Sequence, residues 1–157
     1  FGDKELDHEA VREGFANASS PGRLEVVKRE PTVILDAAHN THGARALANA
    51  LQEEFNFDQT IGIVGVFQDK DGAGILLELE PVLDSVIITQ SNSERAMPAD
   101  QLASIARKIF GAERVYVESD LKKAIAKATA TNPLSDDTVG IVITGSVTTV
   151  GQARSLI

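Results

Sequence analysis

Apolar residues along the chain alternate between two rhythms. From Leu6 to Ala18 they fall at Leu6, Ala10, Val11, Phe15 and Ala18, a helical spacing closed by Ser19-Ser20-Pro21-Gly22. Leu24 to Lys28 and Thr32 to Leu35 are short β-branched runs around Arg29-Glu30-Pro31, predicting two strands. Ala44, Leu47, Ala48 and Leu51 share one face of a helix reaching about Phe55. "TIGIVGVF", Thr60 to Phe67, is apolar nearly throughout, as in a parallel strand buried on both faces. After "DKDGAG" the spacing predicts a helix over Ile75, Leu76, Leu79 and Leu83, then a strand from Ser85 to Thr89. Pro98 opens a helix through Leu102, Ile105, Ala106 and Ile109; "RVYVE" reads as a strand; Asp120 caps a helix through Leu121, Ala124, Ile125 and Ala128. Thr138 to Thr144 is the last strand, and Gly145-Ser146 leads into a closing helix.

Strands alternating with helices imply βαβ units, hence an α/β, Rossmann-like fold with a mostly parallel open sheet of about six strands and helices on both faces. In such sheets ligands bind beyond the carboxyl ends of the strands. The loops that matter are therefore Asp36 to Gly43, Gln68 to Gly74, Gln90 to Met97 and Gly145 to Thr149.

The length of 157 residues suits one domain, and 43% hydrophobic with 24% charged residues is a globular composition. A net charge of -8 and a pI near 4.8 argue against nucleic acid as a partner, because that binding needs clustered Lys and Arg. With no cysteine there is no disulfide, thiolate zinc site or thiol nucleophile, which suits a reducing cytoplasm. No run of about 18 apolar residues and no basic-then-apolar start is present, so neither a membrane span nor a signal peptide is expected. A cytoplasmic monomer is the expectation. The chain starts at Phe1 without methionine and reads as part of a longer protein.

"LDAAHNTHG", Leu35 to Gly43, holds an aspartate, two histidines and an asparagine at a strand-to-helix junction, denser in polar groups than a helix cap requires. Three readings stand open. Asp36, His39 and His42 are chemically acceptable metal ligands. A capping turn without function is the plainest reading. A strand-end carboxylate beside a helix start also suits a polar ligand such as a ribose or an anion. "SSPGR" pins Arg23 after a tight turn, where its guanidinium can fork onto phosphate or stack on a base, or simply pair with a surface acid. Asp69, Lys70 and Asp71 are either a solvated charge run or a substrate-facing loop. Ser146 offers a hydroxyl at a helix start, as a carboxylate grip or as a cap. Neither G-x-x-x-x-G-K-[ST] nor G-x-G-x-x-G occurs, which counts against a nicotinamide oxidoreductase, and "IVITGSV" lacks the lysine of a phospho-receiver.

Together "SPGRLEVV", "PTVILDAAHNTHGARAL", "GVFQDKD" and "VITGSVTTVGQAR", in this order and spacing, resemble the carboxy-terminal domain of the folylpolyglutamate synthase/dihydrofolate synthase family of the Mur ligase superfamily, nearest to actinobacterial versions. The likeness covers essentially the whole chain. It implies an ATP-dependent amide ligase that joins L-glutamate to dihydropteroate or a folate through an acyl phosphate. It also implies an amino-terminal domain, outside this chain, that carries the P-loop and the Mg2+ ligands. By the same resemblance Arg23 and Asp36 contact ATP, His39 serves catalysis or glutamate placement, Ser146 holds the incoming glutamate, and Lys70 meets substrate or the other domain. His42 then falls back to capping or packing. Thr41 stands where the family commonly has proline, which removes no ligand group but frees the helix entrance.

Overall fold

The computed structural model describes residues 22–130 and 138–157. The helix expected from Leu6 to Ala18 lies outside the described residues.

β1 (Glu25–Arg29) and β2 (Thr32–Asp36) form an antiparallel hairpin with a cis Glu30–Pro31 peptide at its turn. Leu24, expected inside the first strand, has φ +46, a left-handed backbone that an extended strand excludes. α1 (Thr41–Glu54) then crosses to β3 (Gln59–Val64), and α2 (Gly72–Leu79) leads to β4 (Ser85–Ile88). α3 (Ala99–Phe110) precedes β5 (Val115–Val117), α4 (Leu121–Thr129) precedes β6 (Val139–Thr144), and α5 (Val147–Arg154) closes the chain.

Two expected elements end early. The strand expected to Phe67 stops at Val64, because beyond it the chain turns to the loop after β4: Met97 N donates to Val66 O (2.9 Å) and Phe67 bridges Ala96. The helix expected through Leu83 stops at Leu79 and tightens into a 3-10 turn over Glu80–Val82. Pro81 explains this, since its ring clashes with the preceding helical turn and it has no N–H to continue the ladder. Leu83 is buried all the same.

The sheet order is β1-β2-β6-β3-β4-β5, with only the β1–β2 pair antiparallel. Central β6 is buried along its whole length, as its unbroken apolar run requires. Leu47, Leu76, Leu79 and Leu102 of α1, α2 and α3 pack with Ile34, Val64, Ile88 and Val142 on one face. Leu121 and Ala124 of α4 and Val150 and Ala153 of α5 pack with Leu35, Ile63 and Ile143 on the other. Each fully buried leucine contributes about 1.5–3 kcal/mol relative to exposure. Among the described residues no helix is long and apolar enough to cross a membrane.

Candidate functional site

β2, β6 and β3 end level with one another: Asp36 pairs with Thr144, and Thr144 with Val64. The chain leaves β2 and β3 for helices on one face and leaves β6 for α5 on the other, so the backbones diverge at this edge and open a crevice. Gly145 stitches the three ends together. Its N–H donates to Ala38 O (3.2 Å), and Gly65 N donates to Thr144 O (3.2 Å). Its φ is +113, and a Cβ there would run into the Gly65 carbonyl, so glycine alone fits.

Asp36 sits half-buried at the tip of β2. Its Oδ2 accepts from Leu24 N (3.0 Å) and its Oδ1 from Ala38 N (2.9 Å). One carboxylate thus clamps the Gly22–Leu24 turn and the start of the His39 loop. Burial pushes its pKa above the ordinary value; the two backbone N–H groups and the Arg23 charge pull the other way without cancelling it. Arg23 is exposed, close enough for its charge to act on Asp36, and springs from a turn packed on Ala37 and on Val150 of α5. The two residues expected to share a nucleotide therefore stand together. A carboxylate has about four acceptor directions, so two remain for a ligand.

His39 is exposed, with Nδ1 3.0 Å from Ala37 O. A carbonyl only accepts, so Nδ1 is the donor in this contact, and Nε2 is the ring nitrogen left without a partner among the described residues. Asn40, not a histidine, caps α1: its Oδ1 accepts from Gly43 N (2.7 Å). His42, expected to cap or pack, is exposed in the first turn and does neither. Thr41 is the first residue of α1, a position that tolerates proline, and its Oγ1 lies 2.6 Å from where a Cβ on Gly74 would be. The absent side chain of Gly74 lets α1 and α2 bring their N-termini together.

The charged loop resolves into separate tasks. Asp71 caps α2 through Gly74 N (2.9 Å), and Asp69 pairs with Arg95 (3.3 Å), whose guanidinium lies over the Phe67 ring. Desolvation, the largest single influence, pulls the Asp69 carboxyl up, but its own backbone N–H, the Arg95 pairing and the Lys70 charge together hold it below the ordinary value. Lys70, half-buried, has no ion pair among the described residues.

Ser146 is 1% exposed and caps α5, its Oγ accepting from Thr149 N (3.0 Å). Thr149 Oγ1 donates to Gly65 O (3.0 Å), so the 2.8 Å contact between the two hydroxyls must run from Ser146 to Thr149. The Ser146 proton is thereby spent inside the fold, and the outward-facing donors at this corner are the first N–H groups of α5. Thr149 is the residue that sequence reading missed. A hydroxyl three positions after a serine at a helix start was its only signal. Arg95 was missed too, because nothing local points from it to Asp69. Among the described residues no three His, Asp or Glu side chains gather as a metal site.

The carboxyl edge of this open, mostly parallel α/β sheet thus brings together a strand-end carboxylate, an exposed arginine and the N-termini of α1, α2 and α5. The chain belongs to the Mur ligase family: the profile described as "Mur ligase, glutamate ligase domain" matches residues 22–147. It is 47% identical to the dihydrofolate synthase/folylpolyglutamate synthase of Mycobacterium tuberculosis, with 98% of this chain aligned to 34% of that protein. The M. tuberculosis folylpolyglutamate synthase solved with ADP and AMPPCP superposes with a TM-score of 0.81 at 48% identity, over 97% of this chain and 35% of that one. The Escherichia coli protein solved with DHPP and ADP superposes at 0.78 with 27% identity, over 98% and 35%. The chain spans about a third of the length of these relatives.

Proposed function

We propose that residues 1–157 form the glutamate-ligase domain of an ATP-dependent ligase that adds L-glutamate to dihydropteroate or to a folate. An amino-terminal domain supplies the P-loop and the Mg2+ ligands, and this chain alone is inactive. The reaction makes an acyl phosphate from the acceptor carboxylate and the γ-phosphoryl group of ATP, releasing ADP. The glutamate amine then attacks the acyl carbon and phosphate leaves. Closure of one domain on the other keeps water from the acyl phosphate.

The observation that carries this reading is the Asp36 clamp. By holding Leu24 N and Ala38 N on one carboxylate, it presents Arg23 and His39 from the two sides of a single strand end. Asp36 accepts from the ribose with its remaining lone pairs, and Arg23 stacks on or forks onto the nucleotide. His39 Nε2, the ring nitrogen that Ala37 does not engage, is the one placed to take a proton from the attacking amine. Lys70 and the α5 N-terminus hold the glutamate carboxylates, with Ser146 fixing that terminus.

Titration of the chain with ATP, followed by amide NMR, tests the reading. The Leu24 and Ala38 amides shift on binding, and Arg23→Ala abolishes the shift. Glutamate-dependent ADP release by this chain alone would refute it, as would a parent protein with no P-loop motif upstream of Phe1.

A further inference from the structure

The carboxyl edge of the sheet has a second point of divergence. The chain leaves β4 for α3 on one face and β5 for α4 on the other, a topology that opens a crevice between neighbouring strands. A cavity of about 290 Å³ lies there, lined by Gln90, Ser91 and Asn92 after β4, Ser119 and Asp120 after β5, and Gln152 of α5. None of these residues takes part in the nucleotide and glutamate chemistry at the Asp36 edge.

The hydrogen bonds decide what the crevice can hold. Gln90 Oε1 accepts from Ala99 N (2.8 Å), serving the start of α3, where Pro98 has no side chain to cap it. Gln152 Oε1 accepts from Asn92 N (2.9 Å). A backbone N–H can only donate, which fixes the oxygen end of each carboxamide on the backbone and turns the NH2 end away from it. Both NH2 groups are left without a partner among the described residues. Ser91, 5% exposed, accepts from Ser93 N and keeps its proton to give. Asp120, the one charged lining group, spends Oδ1 on capping α4 through Lys123 N (3.1 Å). Lys122 and Lys123 stand exposed in the same turn. The lining therefore offers uncharged donors to oxygen acceptors and, at Asp120 Oδ2, one carboxylate oxygen to an ammonium or amide N–H, a combination found in an amino acid or a γ-glutamyl unit.

We propose that this crevice is a second ligand site, taking an amino-acid-sized segment that carries carboxylate and amide oxygens. Its volume lies at the lower end of small-molecule sites. Two sources share that chemistry: free L-glutamate, and a γ-glutamyl unit of a lengthened acceptor, the latter resting on the ligase reading. Gln152 lies six residues beyond Ser146, roughly 9 Å along α5, so one helix serves both the crevice and the candidate glutamate corner.

Separate NMR titrations with L-glutamate and with γ-glutamylglutamate, read at the side-chain NH2 signals of Gln90 and Gln152, test the proposal. Gln90→Glu and Gln152→Glu keep the acceptor for the backbone and remove the donor. Each is expected to weaken binding by about tenfold while leaving the melting temperature near that of the parent. A response to the dipeptide alone identifies the γ-glutamyl unit, and a response to glutamate identifies the free amino acid. Silence of both NH2 signals with both ligands, or unchanged affinity in both variants, overturns the site. ATP added to the same sample reports at Leu24 and Ala38, so failure of the ligase reading is seen separately.

Discussion

Replacing Asp36 with asparagine separates the two forces acting on this carboxylate. The side chain keeps its shape, but asparagine offers one oxygen where Leu24 N and Ala38 N require two. Its NH2 then faces a backbone donor, stranding one half-buried amide at a cost of about 1–3 kcal/mol. Burying a neutral amide rather than a charge returns part of this, so the net loss at neutral pH is about 1–2 kcal/mol. For a chain of this size that lowers the melting temperature by roughly 2–8 °C, measured by circular dichroism. The pH dependence is the sharper test. Burial raises the folded-state pKa of Asp36 above 3.8, so over the window from 3.8 upward the folded state binds more protons than the unfolded. Wild-type stability from this group is then greatest below the window and falls as pH rises through it, whereas the asparagine variant does not titrate there. The wild-type advantage therefore shrinks with rising pH, and contributions from other carboxylates cancel in the difference. An advantage that grows with pH would mean that the two amides outweigh desolvation, and would refute burial as the dominant force on Asp36.

Gly145→Ala meets both a positive φ and the Gly65 carbonyl, and loses about 3 kcal/mol or more in a urea melt. Thr149→Val keeps the shape but removes the donor to Gly65 O and the acceptor for Ser146, costing about 1–3 kcal/mol in the same assay. Arg23→Ala, at an exposed position, leaves stability within about 0.5 kcal/mol while lowering nucleotide affinity by calorimetry. Leu76→Ala, fully buried between sheet and helices, costs about 2–5 kcal/mol.

Element types were legible in the chain because the signals for them are local. The apolar run from Thr60 announced a strand covered on both faces, and β3 is buried from Thr60 to Val64; the period of α1 put Ala44, Leu47, Ala48 and Leu51 inward, where all four are buried. The errors sit where a distant partner overrides the pattern. Leu24 looks like a strand residue until Asp36 takes its N–H and holds its φ positive. Val66 and Phe67 look like the end of β3 until the loop after β4 captures them. Ser146 stood open between a carboxylate grip and a cap; it does cap α5, and only the approach of Gly65 and Thr149 shows its proton turned inward. The carboxamides of Gln90 and Gln152, which line one crevice though 62 residues apart in the numbering, carry no local signal at all.

The sequence by itself determined the succession of strands and helices, the polar loops at the strand ends and the position of Asp36 among them. Those features follow from burial periodicity and turn chemistry within a few residues. Tertiary structure alone decided that β6 inserts between β2 and β3, setting Thr144 beside Asp36, and that the chain diverges a second time between β4 and β5. Strand order depends on pairing energies between segments far apart in the chain, and each buried donor takes whichever acceptor that order brings within about 3 Å. What each side chain has left to offer a ligand could be read only after that accounting.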